Sequence, residues 1–257
     1  MGFDLQATLA AFWEARQRRE YFPTEWHNRL ELTQAYQLQL GLIDRQCAAG
    51  ARQVGWKVGL TSPPMQRQFG HSEPIFGCLL AEGRKSSGHV FGASELIEPG
   101  AEIELCLRLR APLAGEPDQD QVRAAVEVCH PGIEIIETRG DFRKQLNLAI
   151  ADNSQQKAFV LGEPVPLAPG LNLAQVEVVV SINGTEVGTG RGEGVLGNPL
   201  NSVVWLARKL DAFGRELRAG DYIMTGSFTR QFALKPGDTV RAEFFGIGAV
   251  EARIAAS

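Results

Sequence analysis

The sequence has little cysteine and no long uninterrupted hydrophobic run. Its four cysteines, Cys47, Cys78, Cys106 and Cys129, are scattered and form no C-x-x-C pair. That pattern favours reduced thiols in a cytoplasm over a disulfide framework or a cysteine-based zinc site. No stretch reaches the roughly eighteen consecutive apolar residues of a membrane-spanning helix. We therefore expect a cytoplasmic protein without a membrane partner.

The chain also lacks a cluster of basic residues. Its formal net charge is -4, and lysine and arginine form no dense run, so a nucleic-acid partner is not expected. The first twenty residues lack the basic start and apolar centre of a secretory signal. With 44% hydrophobic and 22% charged residues, the composition is that of a globular protein rather than a disordered one.

The hydrophobic pattern divides the chain into a helical beginning and a strand-rich remainder. Leu5, Leu9, Phe12 and Trp13 share one helical face, and Pro23 separates this helix from a second one in LELTQAYQLQLGLI. From about residue 51 the period becomes strand-like. We expect an N-terminal helical arm over residues 1–50 and one mainly β catalytic domain over residues 51–257.

Two further helices and a hairpin interrupt or join these strands. Ser62 and Gly70 bound a short helix in SPPMQRQFG, and Asn198 caps a longer one in NPLNSVVWLARKLDAFG. Asn183 followed by Gly184 predicts a type I′ hairpin turn between two strands.

Two glutamates lie two positions apart in AEIELCLRLR, a stretch that alternates like a strand. Glu102 and Glu104 would share one face about 7 Å apart, and they repel unless water or a cation lies between them. A solvated sheet face explains such a pair as well as a cation site does.

A third acid, Glu134, lies in the apolar stretch GIEIIETR. An unpaired carboxylate is costly to bury there, so Glu134 should meet a cation or strong donors; an edge strand facing water, or an ion pair with Arg139, would also satisfy it. If the two strands bring Glu102, Glu104 and Glu134 together, they supply hard oxygen ligands suited to Mg²⁺ or Mn²⁺ rather than to zinc or copper.

Lys57 interrupts the apolar strand pattern VGWKVGL. Such a lysine either extends along a sheet edge to solvent or is held in a site that uses its charge. Other patterns carry less weight. The glycine-rich GTGRGEG at residues 188–194 departs from a dinucleotide-binding loop, and Ser227 lies outside a nucleophile elbow.

Seven stretches, from about residue 55 to about residue 228 and in the same order, resemble one known group. The chain is similar to the 2-keto-4-pentenoate hydratase and 4-oxalocrotonate decarboxylase branch of the fumarylacetoacetate hydrolase superfamily. Each motif is weak by itself, and their order makes the resemblance specific for the family. The motifs are GWKVGLTSPPMQRQFG, EPIFGCLL, AEIELCLRL, GIEIIETR, IADNSQQKAFVLG, LGNPLNSVVWLARKL and LRAGDYIMTGSFT.

The resemblance implies an α+β fold, a mixed β-roll preceded by helices, assembled into a homo-oligomer. It implies a divalent metal, Mg²⁺ or Mn²⁺, and a small 2-oxo or 2-hydroxydienoic acid as substrate. Matched to the family motifs, the site residues are Glu102, Glu104 and Glu134 for the metal, Lys57 for catalysis, and Thr61, Gly226 and Ser227 for the substrate.

One position departs from the family pattern. Ile75 in EPIFG stands where family members often carry an aspartate. Either Glu73 takes over an acid–base role there, or the chemistry differs.

The resemblance implies a metal-dependent hydratase of 2-hydroxypenta-2,4-dienoate-type acids from aromatic catabolism, acting through a metal-bound enolate. Because the same metal-bound enolate also serves decarboxylation, a 4-oxalocrotonate-type decarboxylase is the alternative. A C–C hydrolase of acylpyruvates ranks lower, since no histidine lies on the early strands as a base. The interpretation outside the enzymes is a non-catalytic protein that binds a metal or an oxo acid, or that serves as the partner subunit of a related enzyme.

Overall fold

The computed structural model describes residues 3–256; Met1, Gly2 and Ser257, at the ends of the expected arm and domain, lie outside this range. The α-helices are α1 Leu5–Gln17, α2 Leu32–Ala48, α3 Pro63–Gln68, α4 Gln119–Ala125, α5 Leu146–Ala151 and α6 Pro199–Asp211. The strands are β1 Gln53–Gly59, β2 Ile75–Leu80, β3 Arg84–Ser86, β4 His89–Phe91, β5 Pro99–Leu109, β6 Val126–Glu137, β7 Gln156–Leu161, β8 Val165–Pro166, β9 Glu177–Ile182, β10 Thr185–Arg191, β11 Tyr222–Ser227, β12 Phe232–Ala233, β13 Thr239–Phe244 and β14 Gly248–Ile254.

Local sequence signals set the ends of several elements. The side chain of Asp4 accepts hydrogen bonds from the first turn of α1, and Asn198 does the same for α6. Both N-terminal helices, the short helix after Ser62 and the helix after Asn198 are confirmed. Asn183 and Gly184 have φ angles of 53° and 79°, which confirms the hairpin turn between β9 and β10.

The strands form two mixed sheets, which confirms the predicted fold class. The larger sheet has nine strands, with the main order β2-β1-β11-β5-β6-β7-β3; β12 also pairs with β5, and β8 with β6. The smaller sheet has the order β10-β9-β13-β14-β4. β1 is parallel to β11, although β11 follows it by more than 160 residues, whereas β5 is antiparallel to both β11 and β6.

The helix α2 packs against the larger sheet through an aromatic contact and a buried amide. The rings of Tyr36 and Phe76 stack with centroids 4.3 Å apart. The Nε2 atom of Gln39 donates to the carbonyls of Phe76 and Ile150 at 3.0 and 2.7 Å. Because a buried amide without partners is costly, these bonds fix α2 against both β2 and α5.

Among the described helices, no segment is both long enough and apolar enough to span a lipid bilayer.

Candidate active site

The three predicted acids lie together on one face of the larger sheet. The antiparallel register of β5 and β6 places Glu102 directly opposite Glu134, and Glu104 follows two residues along the same face. A carboxylate oxygen from each of the three lies within 4.8 Å of the others. Glu104 and Glu134 are buried and Glu102 is half-buried, so a solvated sheet face is not the explanation for the pair.

Lys57 lies against this acid cluster. β11 lies between β1 and β5 in the sheet: Lys57 of β1 pairs with Met224 of β11, and Met224 pairs with Cys106 of β5. The Lys57 side chain is only 4% exposed, and its Nζ atom lies 3.5 Å from Oε1 of Glu134. The alternative that Lys57 extends along an edge to solvent is therefore wrong.

Burial and neighbouring charges shift the pKa values of Lys57, Glu104 and Glu134. Burial alone would lower the pKa of Lys57, but Glu134, Glu102 and Glu104 together outweigh it, so its pKa is raised and the ammonium form is favoured. Burial raises the pKa of Glu104 well above its usual value, and the charges of Glu134 and Glu102 add to the effect. Burial likewise raises the pKa of Glu134 to about 7, although Lys57 partly opposes the shift.

The cluster fits a hard divalent cation. Both carboxylate oxygens of Glu134 are buried without a hydrogen-bond partner among the described residues. Three carboxylates face a single ammonium group, so negative charge remains uncompensated in a site of low dielectric. An ion held by oxygens of Glu102, Glu104 and Glu134 would satisfy these atoms, and an all-oxygen set suits Mg²⁺, Mn²⁺ or Ca²⁺.

Glu104 is oriented from behind by the end of β11. The backbone N–H of Gly226 donates to Oε2 of Glu104 at 2.7 Å. Gly226 has a φ of +111°, and a Cβ atom there would lie 2.4 Å from Cγ2 of Thr61. Only glycine fits this position without displacing Thr61, which explains the close packing of these two residues.

Ser227 is bound to the neighbouring strand rather than directed at the acids. Its hydroxyl oxygen accepts the backbone N–H of Ile103 at 3.0 Å. Thr61, Gly226 and Ser227 thus lie around Glu104 but outside the residues that line the adjacent cavity. Their roles toward the substrate stay predictions.

A cavity of about 400 Å³ opens in front of the cluster. The charged residues that line it are Lys57, Glu102 and Asp141. Its polar lining residues include Thr138, Ser154, Gln155 and Gln231. Its apolar walls come from Leu60, Met65, Phe69, Ile75, Ile136 and Phe142. Ile75, the departure from the family pattern, is one of these wall residues.

Glu73 is not brought to this cavity. Its Oε1 atom lies 2.6 Å from Nζ of Lys209 on α6, and Glu73 is absent from the cavity lining. The acid–base role expected for Glu73 stays a prediction, because an ion pair does not by itself decide it.

Arg139 pairs elsewhere, so the suggested ion pair between Arg139 and Glu134 is wrong. The Arg139 guanidinium binds the carboxylates of Glu137 and Asp152 instead. Side chains alternate along β6, so Glu137 points to the opposite face from Glu134 and Ile136. This buried network lies behind the cavity wall.

A strained segment beside the cavity has no clear signal in the sequence. Asn153, Ser154 and Gln155 have successive φ angles of 55°, 49° and 59°. Such left-handed residues are costly outside glycine and often cluster at functional sites. The Asn153 side chain accepts the N–H of Cys78 at 2.7 Å and donates to its carbonyl at 2.9 Å, so it ties the segment to β2. Asparagine tolerates this conformation, but serine and glutamine rarely adopt it, so the residue types do not predict a left-handed segment here.

Comparisons with known proteins agree with the fold. The family model described as fumarylacetoacetate (FAA) hydrolase C-terminal matches residues 90–255. The chain is 36% identical over 235 residues to the 2-keto-4-pentenoate hydratase of Paraburkholderia xenovorans (strain LB400), covering 90% of this chain and 85% of that protein. It is 34% identical over 232 residues to a 4-oxalocrotonate decarboxylase of Pseudomonas putida, covering 90% and 88% of the two chains.

A solved structure extends the similarity over nearly the whole chain. The 4-oxalocrotonate decarboxylase from Pseudomonas putida G7, complexed with magnesium and adipate, superposes with a TM-score of 0.90 at 31% identity. The match covers 98% of this chain and 99% of that one. With its family match, its relatives and its mixed fold, the chain belongs to the fumarylacetoacetate hydrolase family.

Proposed function

We propose that the chain is a divalent-metal-dependent hydratase of 2-hydroxypenta-2,4-dienoate-type acids in aromatic catabolism. The observation that carries the proposal is the buried cluster of Glu102, Glu104 and Glu134 beside Lys57, at the floor of a cavity with apolar walls. Similarity to proteins named as hydratases and decarboxylases supports the same lyase class.

The chain's own residues supply positioning and a proton. When bound, Mg²⁺ or Mn²⁺ would act as a Lewis acid toward the substrate's carboxylate and 2-oxygen and stabilise the charge that develops there. Lys57, held in its ammonium form, offers a positive charge and a proton at Nζ next to the extended conjugated system. Protonation at C5 together with loss of the 2-hydroxyl proton gives an enone, and water then adds its hydroxyl at C4 and a proton at C3.

The cavity lining favours a substrate with one carboxylate. Among the described residues that line it, Lys57 is the sole cation, and the acid cluster already engages it. A second carboxylate at the far end of the substrate would meet apolar side chains such as Met65 and Phe69 without a compensating charge. This favours the monocarboxylic dienoate over 4-oxalocrotonate.

Decarboxylation of a 4-oxalocrotonate-type diacid is the second candidate. The TM-score of 0.90 with a decarboxylase bound to magnesium and adipate is the observation that favours it. In that reaction the carboxyl group leaves as CO₂, the electron pair of the broken C–C bond moves through the conjugated system to the 2-oxygen, and that oxygen takes up a proton. The same site would stabilise the charge that develops there.

Turnover of 2-hydroxypenta-2,4-dienoate and of 4-oxalocrotonate, followed by ultraviolet absorbance with Mg²⁺ and with chelator, tests the proposal. Metal-dependent loss of the dienoate without CO₂ release, abolished in Glu104→Ala, is the expected result. Release of CO₂ from the diacid would move the assignment to decarboxylase. If neither acid is consumed, and Glu104→Ala behaves like the wild-type protein, the metal-dependent lyase proposal is wrong.

We further propose a homo-oligomer in a reducing cytoplasm. The resemblance to the family motivates the first part, and the four unpaired cysteines, three of them buried, support the second. Sedimentation velocity and thiol titration of the freshly purified protein test the two parts separately.

A further inference from the structure

A second, smaller cavity lies beyond the far wall of the candidate active site. Its volume is about 210 Å³, and Phe69 lines both this cavity and the larger one. The two cavities thus adjoin at Phe69.

Two aromatic rings from distant parts of the chain meet where the cavities adjoin: Phe69 lines both cavities, and Phe142 lines the larger one. Phe69 follows the last turn of α3, and Phe142 lies in the loop between β6 and α5. Their rings meet edge to face, with centroids 5.0 Å apart and an interplanar angle of 82°. Each ring is half-buried, so either can be shortened without opening the main hydrophobic core.

The two cavities differ in chemistry. The wall of the larger cavity is apolar where it meets the rings, with Met65 and Ile136 beside them. The smaller cavity also carries Arg143, Lys144 and other polar side chains. A hydrocarbon tail is therefore favoured up to the rings, and it would meet charged groups beyond them.

We propose that Phe69 and Phe142 are specificity-determining residues, because they end the cavity that holds the hydrocarbon tail of the substrate. The inference rests on the proposed function: the carboxylate and 2-oxygen lie at the acid cluster, so the tail points toward the rings. The wild-type protein then selects 2-oxo and 2-hydroxydienoic acids with short tails. Shortening Phe142 extends the larger, apolar cavity at this end, so longer tails fit.

Calorimetric binding of saturated 2-oxo acids tests the wall without requiring turnover. The probes are 2-oxopentanoate, 2-oxohexanoate and 2-oxooctanoate, each with Mg²⁺. For the wild-type protein, affinity should fall by at least about tenfold between the shortest and the longest acid, the effect expected when a methylene does not fit a pocket. In Phe142→Ala that loss should disappear, while affinity for 2-oxopentanoate changes little.

Two further variants keep the outcome interpretable. Phe142→Leu retains apolar packing, and it should give a smaller shift in the same direction if Phe142→Ala folds poorly. Phe245→Ala removes an aromatic ring that is 56% exposed and outside the lining, and it should leave the tail-length preference unchanged.

The possible failures are distinguishable. If the acids bind with Mg²⁺ but wild-type affinity is independent of tail length, or Phe142→Ala and Phe142→Leu weaken every acid equally, the end-wall role is wrong and the proposed function stands. If no 2-oxo acid binds to the wild-type protein, the proposed function and the end-wall role fail together.

Discussion

At the scale of single residues, Glu134 is the acid of the cluster whose two carboxylate oxygens are buried without a hydrogen-bond partner among the described residues. Its carboxylate is fully buried and has Lys57 as its ion-pair partner. Replacing it in Glu134→Gln removes a charge of the same sign as Glu102 and Glu104 and leaves Lys57 facing those two acids, so we expect a higher melting temperature in chelator. The variant should also weaken Mg²⁺ binding by more than about tenfold, since even indirect partners of metal ligands contribute that much.

Glu127→Gln is a matched control on the same strand. The Glu127 side chain is 44% exposed and pairs with Arg108. Differential scanning fluorimetry with and without Mg²⁺ should show an unchanged metal-induced shift for this variant. An unchanged shift in Glu134→Gln as well would contradict the assignment of Glu134 as a ligand.

Replacing Lys57 tests its contribution to stability separately from its contribution to catalysis. Lys57→Met leaves buried carboxylates without their cation, and removing one partner of a buried pair typically costs about 3–5 kcal/mol. We expect a lower free energy of unfolding in chelator and partial recovery with Mg²⁺, measured by urea denaturation. Turnover should stay reduced by about 10²- to 10⁴-fold even where Mg²⁺ restores folding, because the proposed proton donor is missing.

The exposed residue Lys235 provides the comparison for this prediction. Lys235→Met should match the wild-type protein in both measurements. If Lys57→Met recovers full turnover with Mg²⁺, Lys57 is a structural counter-charge only, and the proton must come from elsewhere.

At the scale of elements, the end of β11 decides how Glu104 is held. Gly226→Ala combines a left-handed backbone with a collision against Thr61, so the N–H that binds Glu104 must move. We expect a loss of about 1–3 kcal/mol in the free energy of unfolding and, in addition, weaker Mg²⁺ binding. Calorimetric titration of Mg²⁺ into the folded variant measures the second effect.

A second glycine, just before the same strand, separates the effect of the collision with Thr61 from the cost of the left-handed backbone. Gly220 has a φ of +89°, but no heavy atom lies within 4 Å of the position that a Cβ would occupy, so Gly220→Ala carries the backbone cost alone. Its Mg²⁺ affinity should equal that of the wild-type protein. Equal affinities in Gly226→Ala would mean that the Gly226 N–H does not position Glu104.

At the scale of the whole molecule, the buried acids couple folding to pH. Glu104 and Glu134 have raised pKa values, so the folded, metal-free chain binds more protons than the unfolded chain between about pH 4.5 and about 7. Their contribution to the free energy of unfolding therefore falls as pH rises through this window. Burial lowers the pKa values of His71, His89 and His130, which contribute with the opposite sign.

Comparison with Glu134→Gln cancels the histidine contribution. In chelator, the wild-type protein should lose stability relative to Glu134→Gln as pH rises through the window, and saturating Mg²⁺ should remove the difference in slope. Melting temperatures measured from about pH 5 to about pH 8 check this linkage. Parallel curves in chelator would show that Glu134 ionises normally.

Much of the architecture follows from local signals in the sequence. Asp4 and Asn198 begin helices because their side chains satisfy first-turn N–H groups, and the Asn183-Gly184 pair makes a hairpin because both residues tolerate positive φ. The E-x-E spacing by itself put Glu102 and Glu104 on one strand face, and the apolar run around Glu134 indicated that its charge needed a partner.

What the sequence determined is therefore a prediction of the site's chemistry: three acids of the type that binds hard cations, one lysine in an apolar strand and a family resemblance. Only the tertiary structure decided which residues meet. β1 pairs with β11 across more than 160 residues, and this brings Lys57 to Glu134; α6 brings Lys209 to Glu73 and holds it away from the cavity. Phe69 meets Phe142 in the same way. Side-chain alternation and helix capping depend on a few neighbouring residues. Strand order and packing depend on burying a common core, so no single segment of the sequence predicts the contacts between distant residues.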